Sequence, residues 1–173
     1  MAMLLLQNLK SKKIVVTGPQ RSGTTIASRI IADTMQIECI DELDYKIDYD
    51  NLKKILTKKD SFVVQAPAFF HRIMDIQEAC SGVCFVIIKR NIEDIIKSEK
   101  RIDWDAASQI MEREANCATD YPGPISKYKY EKWEEIKNNL NEYLEINYED
   151  LSFHRFWLED NMRKNFKDKQ WKL

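Results

Sequence analysis

The sequence predicts an α/β domain in which helices flank a parallel sheet. Three observations predict it. Short apolar, β-branched runs recur at Ile14–Thr17, Ser61–Gln65 and Val83–Ile88, and stretches of helical periodicity separate them. Such alternation places helices on both faces of a parallel sheet. Finally, Gly18 and Gly23 bracket the turn after the first run, in a chain of only four glycines.

Each element has its own justification. Ile14–Thr17 is apolar throughout, as a buried parallel strand requires. The next helix sets Ile26, Ala27, Ile30 and Ile31 on one face. Glu38–Ile40 leads into an acidic loop, Asp41-Glu42-Leu43-Asp44, and a polar helix spans Tyr49 to Thr57. Pro67 stops the second strong strand, and a helix from Phe69 to Cys80 turns Phe70, Ile73 and Met74 inward. Val83–Ile88 is a continuous apolar run suited to the sheet centre. Asn91 caps the following helix, with Asp94 completing a box-like start. A helix is expected over Trp104 to Thr119, then a break at Tyr121-Pro122-Gly123-Pro124. A helix from Lys132 to Leu140, a strand at Leu144–Asn147 and a helix from Asp150 complete the chain.

At 173 residues this reads as one domain over 1–173, with 44% apolar and 32% charged residues. A net charge of −1 argues against a general nucleic-acid or membrane-binding surface. An anion site must then be built locally. The Met1–Leu6 apolar run is too short to span a membrane. Cys39, Cys80, Cys84 and Cys117 lack zinc-site spacing and read as reduced thiols of a cytoplasmic protein.

The site is expected at Gly18-Pro19-Gln20-Arg21-Ser22-Gly23-Thr24-Thr25, where a glycine-bearing turn opens a helix. Backbone N–H groups and the positive end of the helix there cradle an anion. The Gly18-x-x-x-x-Gly23 spacing is that of a P-loop, so the predicted class is a three-layer, P-loop-like parallel sheet flanked by helices. Thr24 and Thr25 stand where a nucleotide kinase has Lys and Ser/Thr. The second and third runs end at Gln65 and at Lys89-Arg90, neither with a carboxylate to help hold magnesium. Sulfuryl transfer from 3'-phosphoadenosine 5'-phosphosulfate (PAPS) fits that combination. The moving group carries less charge than a terminal phosphate, and backbone amides with one cation, Arg21, can stabilise the leaving phosphate.

The sequence resembles the PAPS-dependent sulfotransferase family in four places. Gln20-Arg21-Ser22-Gly23-Thr24-Thr25 resembles the family's 5'-phosphosulfate loop. Cytosolic members carry Lys where this chain has Arg21, whereas protein-tyrosine sulfotransferases have Arg-Ser-Gly-Thr-Thr. Arg90 and Ser98, eight residues apart, match the pair that holds the 3'-phosphate. Tyr148-Glu149-Asp150-Leu151 resembles a recurrent late element. The segment from Arg21 to Glu42 is similar, without a gap, to the tyrosine sulfotransferases, whose Glu general base falls on Glu42.

The resemblance implies a metal-independent transferase acting in line on a hydroxyl or amine acceptor. A small molecule, a sugar or a tyrosine would supply it. Adenosine 3',5'-bisphosphate would be the product. Gly18, Gln20, Arg21, Ser22, Gly23, Thr24, Thr25, Arg90 and Ser98 would hold the donor, with Glu42 and Arg21 catalytic. The chain departs from the pattern at Gln65, where many relatives carry a catalytic lysine. His71 is out of register for the histidine base of cytosolic relatives.

Bland readings stand beside these. Glu42 also reads as an exposed acid beside Asp41 and Asp44. Tyr128, Tyr130 and Trp133 suit either an acceptor pocket or the core. Two rival functions remain open: a P-loop nucleotide kinase and a catalytically silent nucleotide-binding module.

Overall fold

The structure, a computed structural model, describes residues 13–58, 60–101 and 106–159, with only the backbone described at 106 and 107. Met1–Leu6, Trp104 and the basic stretch from Arg163 to Lys172 lie outside the described residues. Five parallel strands form one sheet in the order β2-β3-β1-β4-β5. They are β1 (Lys13–Thr17), β2 (Glu38–Ile40), β3 (Phe62–Gln65), β4 (Val83–Lys89) and β5 (Tyr143–Asn147). The helices are α1 (Thr24–Met35), α2 (Tyr49–Leu56), α3 (Ile73–Ala79), α4 (Ile92–Arg101), α5 (Ala106–Ala115) and α6 (Ile125–Ile136).

Strand alternation divides the core between two faces. Ile14, Val16, Val63, Cys84, Val86 and Ile88 face α1, where Ile26, Ala27, Ile30 and Ile31 meet them. On the opposite face, Val15, Phe62, Val64, Phe85 and Ile87 pack with Leu52 of α2, Ile73 of α3 and Trp133 of α6. Each fully buried aliphatic side chain of this kind contributes about 1.5–3 kcal/mol. Because all the strands run parallel, their carboxyl ends share one edge of the sheet. The loops after β1, β2, β3 and β4 therefore crowd together there, the usual place for a ligand in such a sheet.

The elements differ from expectation in four places. The acidic loop is a 3-10 turn, Glu42–Tyr45, in which Asp41 and Asp44 form a reciprocal capping box. Those two acids are thereby spent on local structure. The helix expected from Phe69 is instead a 3-10 turn, Pro67–Arg72, that continues as α3, because Phe69 leaves helical geometry at φ −101, ψ 25. The helix expected from Lys132 begins at Ile125, directly after Pro124, whose fixed φ suits a helix start. The segment expected to open a helix at Asp150 is first a 3-10 turn, Tyr148–Leu151. All four cysteines are free.

Candidate functional site

The first loop is held by backbone geometry that few residues tolerate. Gly18 has φ +140, and a Cβ there would lie 3.1 Å from the Ile88 carbonyl oxygen, so the chain passes close against β4. Arg21 itself is left-handed at φ 64, a conformation a non-glycine residue holds only when its surroundings fix it. Ser22 N–H donates to the Pro19 carbonyl at 3.2 Å. Gly23, at φ 103, is the N-cap of α1 and supplies no side-chain cap. The first N–H groups of α1 are thus available to an anion.

Gly23 serves a second purpose that the sequence did not disclose. A Cβ at this position would sit 2.4 Å from the Tyr148 ring. The late Tyr148-Glu149-Asp150-Leu151 element thus packs directly beneath the loop. The same ring carries the Arg90 guanidinium 4.7 Å from its centroid, a cation–π contact that fixes its direction.

Arg90 and Ser98 do converge on the loop. An Arg90 Nη1 donates to the Arg21 carbonyl at 3.2 Å, and Arg21 Nε donates to Ser98 Oγ at 3.3 Å. Tyr130 completes the support: its hydroxyl accepts from Arg90 N–H at 2.8 Å. This assigns Tyr130 a place in the site, whereas Trp133 is wholly buried in the core. The hydroxyl of Tyr128 donates instead to the Asn116 carbonyl. Beside Arg90, at the ends of β4 and β5, lies a cleft of ≈ 560 Å³ lined by Arg90, Ile92, Tyr130, Asn147 and Glu149.

The residues here fit an anionic donor. Ser22 Oγ and Arg90 Nε are buried, and neither has a hydrogen-bond partner among the described residues. Both are donors, and a buried donor without an acceptor is costly. Phosphate or sulfate oxygens are the groups that would satisfy them. Thr24 is buried behind the loop, Gln20 is half-buried and Thr25 is exposed.

Glu42 occupies a different part of the same edge. It opens the turn after β2, and its Oε1 accepts from Ala68 N–H at 3.0 Å. It is therefore tied to the turn after β3. Burial pushes its carboxyl up to about 7, with Asp41 and Glu112 adding to the rise and Lys129 opposing it. A carboxyl titrating there exchanges protons near neutrality. Gln65, where a lysine was expected by resemblance, is buried; its backbone carbonyl accepts from Tyr45 Oη at 2.6 Å.

Three charged residues of this region went unnoticed in the sequence. Lys129 of α6 is fully buried, pairs with Glu112 of α5, and donates to the Pro67 carbonyl at 3.3 Å. Glu99 of α4 is also raised to about 7, by burial first and by Glu112 next, with Arg21 and Lys129 opposing. The signal for Lys129 was its spacing: Ile125, Lys129 and Trp133 form one buried stripe at intervals of four. That stripe is visible only once the helix is begun at Ile125. Burial lowers the His71 pKa, with Arg72 and Lys129 adding to the fall and Asp75 opposing it, and its ring lies against Phe69.

No protein-family model matches the chain, and no curated protein is similar enough to match. Solved structures are similar in fold. Shikimate kinase from Acinetobacter baumannii in complex with shikimate aligns with TM-score 0.55 at 11% identity, over 95% of this chain and 99% of that one. Shikimate kinase from Bacteroides thetaiotaomicron gives 0.53 at 12%, over 89% and 95%. A sugar kinase from Janibacter sp. gives 0.50 at 13%, over 86% and 95%. The chain therefore has the three-layer, P-loop-like α/β fold that its sequence predicts. At such identities the likeness concerns fold. Among the described residues, no helix is long and apolar enough to cross a membrane.

Proposed function

We propose that the chain is a nucleotide-dependent group transferase that moves a sulfuryl group from PAPS to a hydroxyl or amine acceptor. One observation carries this reading. Arg90 reaches the Arg21 carbonyl while Arg21 reaches Ser98, so residues suited to the two phosphate ends of one donor are in direct contact. The loop amides, Ser22 and Arg21 would hold the 5' phosphosulfate. Arg90 and Ser98 would hold the 3'-phosphate, and the ≈ 560 Å³ cleft beside Arg90 leaves room for the nucleoside.

The chain's own groups account for the proton and the charge. Glu42, titrating near neutrality, accepts the acceptor's proton as the acceptor attacks sulfur. Arg21 and the N–H groups of α1 face the negative charge that collects on the departing bisphosphate. The acceptor is a small hydroxyl compound, a sugar or a tyrosine. Four free thiols suit the reducing cytoplasm.

A second reading has its own support. The similar folds are those of shikimate and sugar kinases, which favours phosphoryl transfer from ATP to a small hydroxyl compound. Against it stand Thr24 in place of the P-loop lysine and strands that end at Gln65 and Lys89. Calorimetry with adenosine 3',5'-bisphosphate and with ATP–magnesium separates the two, followed by labelled-donor turnover on a panel of acceptors. The sulfuryl reading expects bisphosphate binding and label transfer. Binding of ATP–magnesium alone would make the chain a kinase. Bisphosphate binding without any turnover would make it a silent nucleotide-binding module.

A further inference from the structure

We propose that Lys129 is a positioning residue for Glu42, acting on it from α6. The inference rests on Glu42 being the proton acceptor named above. Lys129 is a charged side chain with 0% exposure. Burying an ammonium is costly unless partners surround it. Its partners are the Glu112 carboxylate, the Pro67 carbonyl at 3.3 Å and the Phe70 ring, 5.6 Å from centroid to nitrogen.

The geometry connects it to the base through one peptide group. The Pro67 carbonyl oxygen that faces Lys129 and the Ala68 N–H that faces Glu42 belong to the same amide. An ammonium on the oxygen polarises the amide and strengthens its N–H as a donor to the carboxylate. Lys129 also acts through space. The charged groups facing Glu42 are Asp41 from its own turn, Glu112 from α5 and Lys129 from α6, and Lys129 alone of these favours the carboxylate.

A purely structural pair is a poor explanation. Glu112 Oε2 is buried without a partner among the described residues. A half-satisfied buried ion pair gives no stability that apolar side chains of similar volume would not give. Retaining it makes sense if its charge serves the neighbouring carboxyl.

The test follows the Glu42 carboxyl by NMR in protein with 13C-labelled glutamate, assigned by loss of its signal in Glu42→Gln. In the parent chain its midpoint lies near 7. Lys129→Gln keeps a donor toward the Pro67 carbonyl but removes the charge. The midpoint should then rise by about one pH unit. Turnover at pH 7 should fall about fivefold and return above about pH 9, because the loss is one of protonation. Lys129→Met/Glu112→Leu replaces the whole pair with apolar groups and serves if the single variant does not fold. At Glu42 the Lys129 attraction outweighs the Glu112 repulsion, so the midpoint still rises. An unmoved midpoint in either folded variant overturns the inference. Turnover that survives Glu42→Gln would instead count against Glu42 as the base, while the titration would still read Lys129's hold on it.

Discussion

The two halves of the site are built differently. The proposed donor side, with Arg21, Ser98, Arg90 and Tyr148, is a set of cations and hydroxyls held by hydrogen bonds and one ring contact. The proposed acceptor side, with Glu42, Lys129, Glu112 and Glu99, gathers three half-buried carboxyls about one buried lysine, and two of those carboxyls are displaced to about 7. One half works by geometry and fixed charge, the other by tuned ionisation. Damage to the first should appear in binding, damage to the second in rate and pH dependence.

The largest effect should come from Glu42→Gln. The amide keeps an oxygen for the Ala68 N–H but cannot take a proton. Turnover should fall by about a hundredfold to ten-thousandfold, with affinity for adenosine 3',5'-bisphosphate within about twofold of the parent. Titration calorimetry beside steady-state kinetics measures both. A matching loss of affinity would erase the division between the halves.

Gly23→Ala tests the donor side through its scaffold. The new Cβ would meet the Tyr148 ring at 2.4 Å and adopt φ +103. Strain and clash together should cost about 3 kcal/mol, read as a lower Tm and a lower denaturation midpoint. Tyr148→Leu should relieve part of this in the double variant, because the ring is what the methyl strikes.

Arg90→Ala should weaken bisphosphate binding about tenfold or more, since a charged hydrogen bond is worth roughly 1.5–3 kcal/mol. Turnover at saturating donor should change less than affinity does. Unchanged affinity would mean that the guanidinium supports the Arg21 carbonyl and packs on the Tyr148 ring without binding the donor.

The same division decides what the sequence disclosed. β1, its loop and α1 are contiguous, so glycine spacing, β-branched runs and one amphipathic stripe were enough to read them. Arg90 and Ser98 were singled out through resemblance, and a strand end and a helix turn fix their separation. Tyr148's place under Gly23 was not, since nothing local couples residues so distant along the chain. Lys129 was hidden for a related reason. Its burial depends on where α6 begins, and a Pro-Gly-Pro break was read as a longer interruption than it is. Glu112 and Glu99 look like ordinary helix-surface acids until α4, α5 and α6 bring them toward one lysine. Displaced ionisation is a property of tertiary neighbours and leaves no mark on composition or spacing.

The last expected effect is on stability against pH, and it belongs to the proposed acceptor side. Glu42 and Glu99 ordinarily titrate at 4.5 and in the folded chain at about 7. Between those values the unfolded chain has released protons that the folded chain still holds. Stability therefore falls as pH rises through that window, by linkage. The contribution of these two groups is complete below about 4.5 and gone above about 7. Thermal melts across the range should show Tm declining toward neutral pH, with the slope reduced in Glu42→Gln and in Glu99→Gln and nearly absent when both are combined. Arg90→Ala should leave the slope as it is, because its guanidinium is not among the groups that displace either carboxyl. An unchanged slope in the Glu42→Gln/Glu99→Gln chain would place the tuned ionisation elsewhere and dissolve the contrast between the two halves.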